Sequence, residues 1–307
     1  MGKILIFGHK NPDTDSICSS IVMQYLQETI NEESEAVRLG KINKETEYAL
    51  NYFNVEKPIM IESIEEGQEV ILVDHNEFAQ SVNGIEKAKI LKVFDHHRID
   101  DFKTEQPLFY YSEPVGCTGT ILYKIHKMNN LEVNPTMAGL MLSAIISDTL
   151  LFKSPTCTEI DKIIAKELAK IANVDINTYG LELLKAGTDL DDLSEKELIN
   201  LDAKEFEKNG IKYEIAQINT VSIEDVLKRQ EKLEQEINDE ISKKGLDLFV
   251  FAITDILNSN SEIISLGNKA KIVEKAFGKE LKDNRAFLEG VVSRKKQLLP
   301  EIDKTID

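Results

Sequence analysis

Cysteine is scarce in this chain, and no long hydrophobic run interrupts its 307 residues. The three cysteines, Cys18, Cys117 and Cys157, are far apart and lack CxxC spacing, so we expect no disulfide framework and no zinc ribbon. We therefore interpret the three cysteines as small, buried side chains of a protein in a reducing compartment. No apolar stretch approaches the roughly 20 residues of a membrane span. The N-terminal apolar run is too short for a signal peptide, so we expect a cytoplasmic protein without a membrane partner.

Positively charged residues are also few: the chain has 37 lysines and arginines and 54 acidic residues, which gives a net charge of −17. A general nucleic-acid-binding protein normally needs a basic face, so we expect no nucleic-acid partner. The chain contains no Gly-Gly pair, no GxxxxGK[ST] and no GxGxxG, so neither a P-loop nor a dinucleotide fold is supported. If the ligand is an anion, bound metals and a few placed cations must make its site locally positive.

Strands and helices are predicted to alternate in the first half of the chain. Strands are expected at Lys3–Phe7, Val70–Val73 and Ile90–Phe94, and helices over 16–30, Cys117–Met128, Pro135–Ser147, 158–172 and 175–186. Such alternation is typical of an α/β domain in which helices flank a mostly parallel sheet. In these sheets ligands bind outside the carboxyl ends of the strands.

A second, smaller α/β domain is predicted after a short acidic segment. We place the first domain at residues 1–187, the linker at 188–194 and the second domain at 195–307. A calcium loop from Asp189, Asp191 and Asp192 lacks the spacing of an EF-hand, which favours a solvated linker. The predicted elements of the second domain are one long helix at Ile223–Lys243, strands at Tyr213–Val221, Leu246–Thr254, Ile263–Leu266 and 287–292, and a helix at 268–277.

Three acid–histidine clusters follow predicted strands in the first third of the chain. They are the segment from His9 to Ser16 with Asp13 and Asp15, the triplet Asp74-His75-Asn76, and the triplet Asp95-His96-His97. A lone strand-end histidine is usually a satisfied polar residue, and Asp13 or Ser16 alone could cap a helix. Capping does not explain four histidines beside acids in three places, and the mid-helix His126, without acidic neighbours, is assigned no role.

These clusters together predict a site for two divalent metals. His9, Asp13, Asp15, Asp74, His96 and Asp148, which ends an apolar segment, supply two imidazoles and four carboxylates. Asp74 is the candidate bridge, because a carboxylate can join two metals about 3.5–4 Å apart. Imidazole with carboxylate favours Mn²⁺, and the absence of cysteine ligands argues against a structural zinc site. His75 and Asp95 are expected to orient the neighbouring ligands.

A cationic run, Ser293-Arg294-Lys295-Lys296-Gln297, stands far away near the C-terminus. Arginine can bind phosphate through two hydrogen bonds and lysine acts as a point charge, so the run could clamp an anion. An ordinary solvated surface is an equally good interpretation of the run taken alone.

The combination of GHxxPDTDS, DHN, DHH and SRKKQ closely resembles the family II, manganese-dependent inorganic pyrophosphatases of the DHH phosphoesterase superfamily. The resemblance covers essentially the whole chain, including Ser147-Asp148-Thr149 and the segment from Leu201 to Lys204. It implies an N-terminal DHH domain with the metal site, and a C-terminal domain that closes over it, with the active site in the cleft. Some members carry CBS domains between DHN and DHH, but only about 20 residues separate them here, too few for a domain.

The resemblance also implies roles for individual residues. His9, Asp13 and Asp74 would hold one Mn²⁺, and Asp15, Asp74, His96 and Asp148 the other. Pyrophosphate would be contacted by His97, Lys204, Arg294 and Lys295. Mg²⁺ or Co²⁺ is expected to substitute for manganese, further Mg²⁺ to arrive with the substrate, and the chain to form a homodimer.

The implied reaction is hydrolysis of pyrophosphate to two phosphates. A water bridging the two metals would be deprotonated near neutral pH and attack phosphorus in line. The cations would neutralise the phosphoryl oxygens, and His97 is expected to protonate the departing phosphate. Two alternatives stay open: a DHH-type phosphodiesterase of short oligonucleotides or cyclic dinucleotides, whose relatives carry a GGGH-like motif, and a non-catalytic metal-dependent binding module.

Overall fold

The computed structural model describes residues 3–100, 102–188, 190 and 192–306, so Asp189 and Asp191 of the predicted linker lie outside the described residues. The chain divides into two compact units, Met1–Gly187 and Thr188–Asp307. No helix among the described residues has both the length and the apolar character that crossing a bilayer requires.

The first unit is built on a six-stranded sheet in the order β3-β2-β1-β4-β5-β6. Its strands are β1 (Ile4–Phe7), β2 (Ser34–Arg38), β3 (Ile59–Met60), β4 (Glu69–Val73), β5 (Lys89–Asp95) and β6 (Phe109–Ser112). All five pairings are parallel, which confirms the predicted α/β class. Strands β1, β4 and β5 are adjacent, so the segments that follow them emerge side by side at one edge of the sheet.

Six helices accompany this sheet: α1 (Thr14–Thr29), α2 (Lys44–Tyr52), α3 (Thr118–Met128), α4 (Pro135–Asp148), α5 (Glu159–Ala172) and α6 (Ile176–Gly187). Helix α4 is the central one and packs against α1, α3 and α5. Every residue from Ala138 to Ile146 is buried, as its continuous apolar sequence predicts. On the other face of the sheet, Val70 and Leu72 pack with Val82 and Ile85, which lie in the segment between β4 and β5.

The second unit contains a mixed five-stranded sheet in the order β11-β10-β9-β8-β7. The strands are β7 (Ala203–Lys208), β8 (Ile211–Thr220), β9 (Leu248–Asp255), β10 (Asn260–Leu266) and β11 (Arg285–Glu289), and only β8 and β9 run parallel. Its helices are α7 (Glu195–Asn200), α8 (Ile223–Leu227), α9 (Gln230–Lys244), α10 (Ile272–Phe277) and α11 (Leu299–Thr305). Helices α7, α8 and α9 cover one face and α10 and α11 the other, with alternate residues of β9 buried on each side.

Several sequence predictions need correction. The single helix expected at Ile223–Lys243 is two helices, because the Arg229 guanidinium donates to Glu195 at 3.0 Å and to the Leu190 carbonyl at 3.1 Å, and this tertiary contact interrupts the helix. The helix expected over 268–277 begins only at Ile272, and the strand expected over 287–292 is Arg285–Glu289. Strand β7 and helix α2 were not predicted. Cys18 and Cys117 are buried as expected, whereas Cys157 is only partly buried.

Candidate metal centre

The carboxyl ends of β1, β4 and β5 bring all three acid–histidine clusters together. His9 follows β1, Asp74 follows β4 directly, and His96 follows β5 directly. Asp74 has a φ of 57°, a left-handed conformation that aspartate tolerates better than most residues. Asp148 reaches the same place as the last residue of α4. The predicted convergence of these side chains is therefore what the structure shows.

The turn between β1 and α1 is held by close packing and by a cap. A Cβ atom at Gly8 would lie 1.8 Å from the Ser16 hydroxyl oxygen, so only glycine lets α1 begin this close to the strand. Asp13 caps α1 through its Oδ1, which accepts from the Ser16 amide at 3.0 Å. Its Oδ2 lies 3.4 Å from His9 Nε2. Asp13 is therefore both a cap and a member of the cluster.

Asp74 belongs to three overlapping groups of side chains. The first group is His9, Asp13 and Asp74, the second is Asp15, Asp74, His96 and Asp148, and the third is Asp74, His96 and His97. Asp74 Oδ2 lies 3.4 Å from His9 Nε2, and Asp74 Oδ1 lies 3.4 Å from His96 Nε2. In the second group, His96 Nε2 is also 3.5 Å from Asp148 Oδ2 and 4.0 Å from Asp15 Oδ2.

These separations fit ligands that share an ion. Metal–ligand distances of about 2.1 Å place neighbouring donor atoms about 3.0–3.4 Å apart. Two buried donor atoms, Asp74 Oδ2 and His96 Nε2, have no hydrogen-bond partner among the described residues. A buried polar atom without a partner is costly and calls for an ion or water to satisfy it.

Asp15 is fixed by the N-terminus of α3. Its Oδ2 accepts from the Thr118 amide at 2.6 Å, and its Oδ1 accepts from the Gly119 amide at 3.1 Å and from the Ser19 hydroxyl at 2.7 Å. Complete burial nevertheless raises the pKa of Asp15 to about 6, and the Asp74 charge adds to this effect. The site therefore concentrates more negative charge than its own amides neutralise.

Without metal, the two histidines of the cluster favour their protonated form. Burial opposes the charged form of His9, but the Asp13 and Asp74 carboxylates, each 3.4 Å from its Nε2, outweigh it and raise its pKa to about 10. His96 is affected in the same way, with burial opposed by Asp74 and Asp15, and its pKa rises to about 9. The same histidines lower the pKa of Asp74 against the effect of burial. Burial and Asp15 raise the pKa of Asp148 well above its usual range.

His97 is turned differently from His96. Its Nδ1 lies 2.9 Å from Asp95 Oδ1, and this contact raises the pKa of the imidazole. Asp95 is fully buried and is held in turn by the Asn76 side-chain amide at 2.6 Å. The His97 side chain is 51% exposed, so Nε2 is the nitrogen left to face a ligand. Asp95 thus orients His97 rather than a proposed metal ligand, which corrects the predicted contact, because Nδ1 of His96 contacts the Val115 carbonyl at 3.0 Å instead.

His75 and His126 are both buried and lie outside the cluster. His75 contacts the Val73 carbonyl through Nδ1 at 2.9 Å and the Ser81 hydroxyl through Nε2 at 3.0 Å, rather than a carboxylate. Burial lowers its pKa. It fastens the turn that carries Asp74 instead of orienting a ligand directly, which corrects the predicted contact. His126 contacts the Leu122 carbonyl through Nδ1 at 2.9 Å and stacks on Tyr25.

The predicted anion-binding residues of the second unit gather around Asp202. Arg294 Nη2 lies 2.8 Å from Asp202 Oδ1, two residues before Lys204 on β7. The main chain of Arg294 is fixed as well, because its amide donates to Gln217 Oε1 at 2.9 Å. Lys204 and Lys295 are exposed and pair with no acidic group among the described residues. The three cations therefore belong to one region of this unit.

Two residues that hold the cluster or its chain neighbours in place escaped the sequence reasoning. Thr118 donates its amide to Asp15, and Glu45 accepts hydrogen bonds beside Asp13, Asp15 and Asp148. Thr118 follows Cys117 at a helix start that was predicted, so a capping argument could have flagged it. Glu45 lies in the unpredicted helix α2 and had no signal of its own.

The fold and the site together define a protein of the DHH class. The DHH family N-terminal domain matches residues 3–145, and the DHHA2 domain matches residues 181–305. The chain is 56% identical to the manganese-dependent inorganic pyrophosphatase of Bacillus subtilis, over 98% of this chain and 97% of that protein. It is 55% identical to a protein of Bacillus licheniformis named as a probable manganese-dependent inorganic pyrophosphatase, over 100% and 99% of the two chains.

A solved structure agrees with these sequence matches. A candidate family II inorganic pyrophosphatase from Methanococcus jannaschii aligns with a TM-score of 0.61 at 42% identity, over 98% of each chain. The chain therefore belongs to the family of manganese-dependent, family II inorganic pyrophosphatases, in its short form without CBS domains.

Proposed function

We propose that this chain hydrolyses inorganic pyrophosphate to two phosphate ions, with two manganese ions held by the cluster in its first unit. The observation that carries the proposal is the position of Asp74. One of its oxygens faces His9 and the other faces His96, each at 3.4 Å, so a single carboxylate belongs to both groups of donors. This arrangement is the one expected of a residue that bridges two ions.

The donor set favours manganese. His9, Asp13 and Asp74 would hold one ion, and Asp15, Asp74, His96 and Asp148 the other. Imidazole together with carboxylate suits Mn²⁺, and Mg²⁺ or Co²⁺ would be accepted by the same donors. When bound, the two ions would supply the Lewis acidity that activates water and polarises the phosphoryl oxygens.

Proton donation and charge neutralisation would be provided by side chains that bear protons or positive charge. His97, oriented through Nδ1 by Asp95, can present Nε2 and donate a proton to the departing phosphate. Lys204, Arg294 and Lys295 can neutralise phosphoryl oxygens, and phosphoryl transfer depends mainly on such neutralisation. The Arg294 guanidinium is held by Asp202 and its backbone amide by Gln217. Arg294 would therefore lose little conformational freedom on binding a phosphoryl oxygen.

One assay tests this proposal against its alternatives. Release of phosphate from pyrophosphate is compared with hydrolysis of a cyclic dinucleotide and of an aryl phosphodiester, each with Mn²⁺ and then with Mg²⁺. We expect turnover of pyrophosphate alone. Cleavage of either diester in its place would indicate a DHH-type phosphodiesterase, and inactivity on all three substrates with intact manganese binding would indicate a binding module.

Two further properties are part of the proposal. A cytoplasmic location is consistent with three cysteines that form no disulfide. A homodimer that takes pyrophosphate as its substrate rests on membership of the family. Sedimentation of the manganese-loaded protein tests the second point.

A further inference from the structure

We propose that Glu45 is a positioning residue that fixes Asp15 and Asp148 relative to each other by accepting hydrogen bonds from the Thr14 and Ser147 hydroxyls. Glu45 touches neither the reacting atoms nor the donor atoms of the cluster. The inference rests on the proposed function, because it concerns the affinity of the second group of donors for manganese.

One oxygen of Glu45 joins two elements that carry the proposed ligands. Thr14 Oγ1 donates to Glu45 Oε1 at 2.6 Å, and the Ser147 hydroxyl donates to the same oxygen. Thr14 lies between Asp13 and Asp15 at the start of α1, and Ser147 precedes Asp148 at the end of α4. Helix α2 therefore connects the two helix ends from which these carboxylates project.

Asp148 depends on this connection more than Asp15 does. Asp15 accepts from two backbone amides of α3 and from the Ser19 hydroxyl. Asp148, by contrast, accepts from no backbone amide in the part of the chain that the structure describes, and its Oδ2 faces His96 at 3.5 Å. The Ser147 hydroxyl, next to Asp148, instead ties the end of α4 to Glu45 of α2.

The simplest alternative role for Glu45 is an acid in the first turn of a helix, where it favours the helix dipole. Glu47 stands in the same turn and is exposed, so it can serve that purpose without any tertiary contact. Glu45 is instead enclosed: a Cβ atom added to Gly187 of α6 would lie 2.8 Å from Glu45 Oε2. Thr14 also contacts the Thr46 hydroxyl at 3.2 Å, which keeps α2 in place beside α1.

A role through hydrogen bonding and a role through negative charge predict different effects when Glu45 is replaced. If Glu45 acts by accepting hydrogen bonds, a glutamine can replace it, because the amide oxygen keeps two acceptor sites. If its negative charge attracts the metals, glutamine and alanine should be equally harmful. The proposal commits to the first mechanism.

The experiment measures Mn²⁺ binding to the metal-free full-length protein by calorimetry and by electron paramagnetic resonance. Five variants are compared with the wild type: Glu45→Ala, Glu45→Gln, Ser147→Ala, the double variant Glu45→Ala with Ser147→Ala, and the control Glu47→Ala. The melting temperature of each metal-free protein shows that it is folded. Loss of a group that orients a metal ligand typically costs about 10–100-fold in affinity.

We expect Glu45→Ala to weaken one of the two manganese sites by about 10–100-fold, with a smaller loss in Ser147→Ala. Glu45→Gln should remain within about threefold of the wild type, because it keeps the acceptor. Glu47→Ala should bind like the wild type. In the double variant Glu45→Ala with Ser147→Ala, the loss should not exceed that of Glu45→Ala alone, since the two residues act through one hydrogen bond.

The inference is overturned if Glu45→Ala binds both ions as the wild type does, or if Glu45→Gln fails as badly as Glu45→Ala. Should Glu45→Ala not fold, Ser147→Ala and Glu45→Gln decide the question by the same criteria. Failure of the proposed function is a separate result, because it would show in the wild type as an absence of pyrophosphatase activity.

Discussion

The two units place their functional side chains in opposite surroundings. In the first unit, Asp15 and Asp74 are buried, and the side chains of His9, His96 and Asp148 are no more than 16% exposed. Amides, hydroxyls and neighbouring donors hold them in place. In the second unit, Lys204 and Lys295 are exposed, and only Arg294 is held, by Asp202. Buried like charges need a counter-ion, whereas exposed cations are screened by water and salt. This contrast supports the proposal that the first unit holds resident ions and the second binds a ligand that comes and goes.

The severest test of this division is Asp74→Asn. Asparagine keeps the left-handed backbone and the size of the side chain, but removes the charge that both groups of donors share. We expect both manganese sites to bind the metal more weakly. Turnover should fall on the order of 10³-fold or more, which exceeds the usual rate loss when one group that stabilises the transition state is removed. Calorimetric titration with Mn²⁺ and a phosphate-release assay measure the two effects.

The matched control for this variant is Asp13→Asn, which alters the first group of donors only. It should weaken a single manganese site. Two intact sites in Asp74→Asn would break the assignment of Asp74 as the bridge.

Arg294→Ala tests the second unit. Turnover of pyrophosphate should fall on the order of 10²-fold, because a group that neutralises the phosphoryl oxygens is lost. Manganese affinity should not change, since the metal donors all belong to the first unit. The neighbouring Lys296, exposed and without a proposed role, supplies the control Lys296→Ala. A large loss of metal binding in Arg294→Ala would contradict the separation of tasks between the units.

His97→Gln sharpens the comparison within the first unit, because His97 is its half-exposed histidine. We expect kcat to fall by up to about 10²-fold with little change in KM, as for loss of a general acid. Steady-state kinetics at saturating Mn²⁺ separate the two constants. An unchanged kcat would remove His97 from the reaction.

The smallest expected effect concerns the metal-free protein at alkaline pH. The pKa values of His9 and His96 are raised to about 10 and about 9 in the fold. Groups with a raised pKa stabilise the fold fully below their unfolded pKa of about 6.5 and lose this contribution as the pH rises through the folded values. The melting temperature of the metal-free protein should therefore fall by several degrees between pH 7 and pH 10.

Asp74→Asn provides the control for this pH effect as well, because the Asp74 carboxylate raises the pKa of both histidines. Its melting temperature should vary less over the same range. Scanning calorimetry of both metal-free proteins makes the comparison, and identical pH profiles would argue against the ion pairs.

The sequence predicted the structure well where the hydrophobic pattern of a segment and its polar side chains indicated the same element or site. Apolar runs predicted β1, β4, β5 and the buried helix α4, and the acid–histidine clusters that follow the three strands converged as expected. The break at Arg229 could not be predicted, because it depends on contacts with Glu195 and Leu190, more than 30 residues away. Strand β7 was missed because it lies at the edge of its sheet and alternates weakly.

The sequence by itself determined the family, the two-part organisation of the elements and the types of donor available for metal. Only the tertiary structure decided which oxygen of Asp74 faces which histidine, that Asp15 is held by amides of α3, and that Glu45 joins α1 to α4. The physical reason is the distance along the chain over which each effect acts. Periodicity and motifs indicate the local structure of each segment. The distances between donor atoms depend instead on how helices and strands that are far apart in the chain pack against one another.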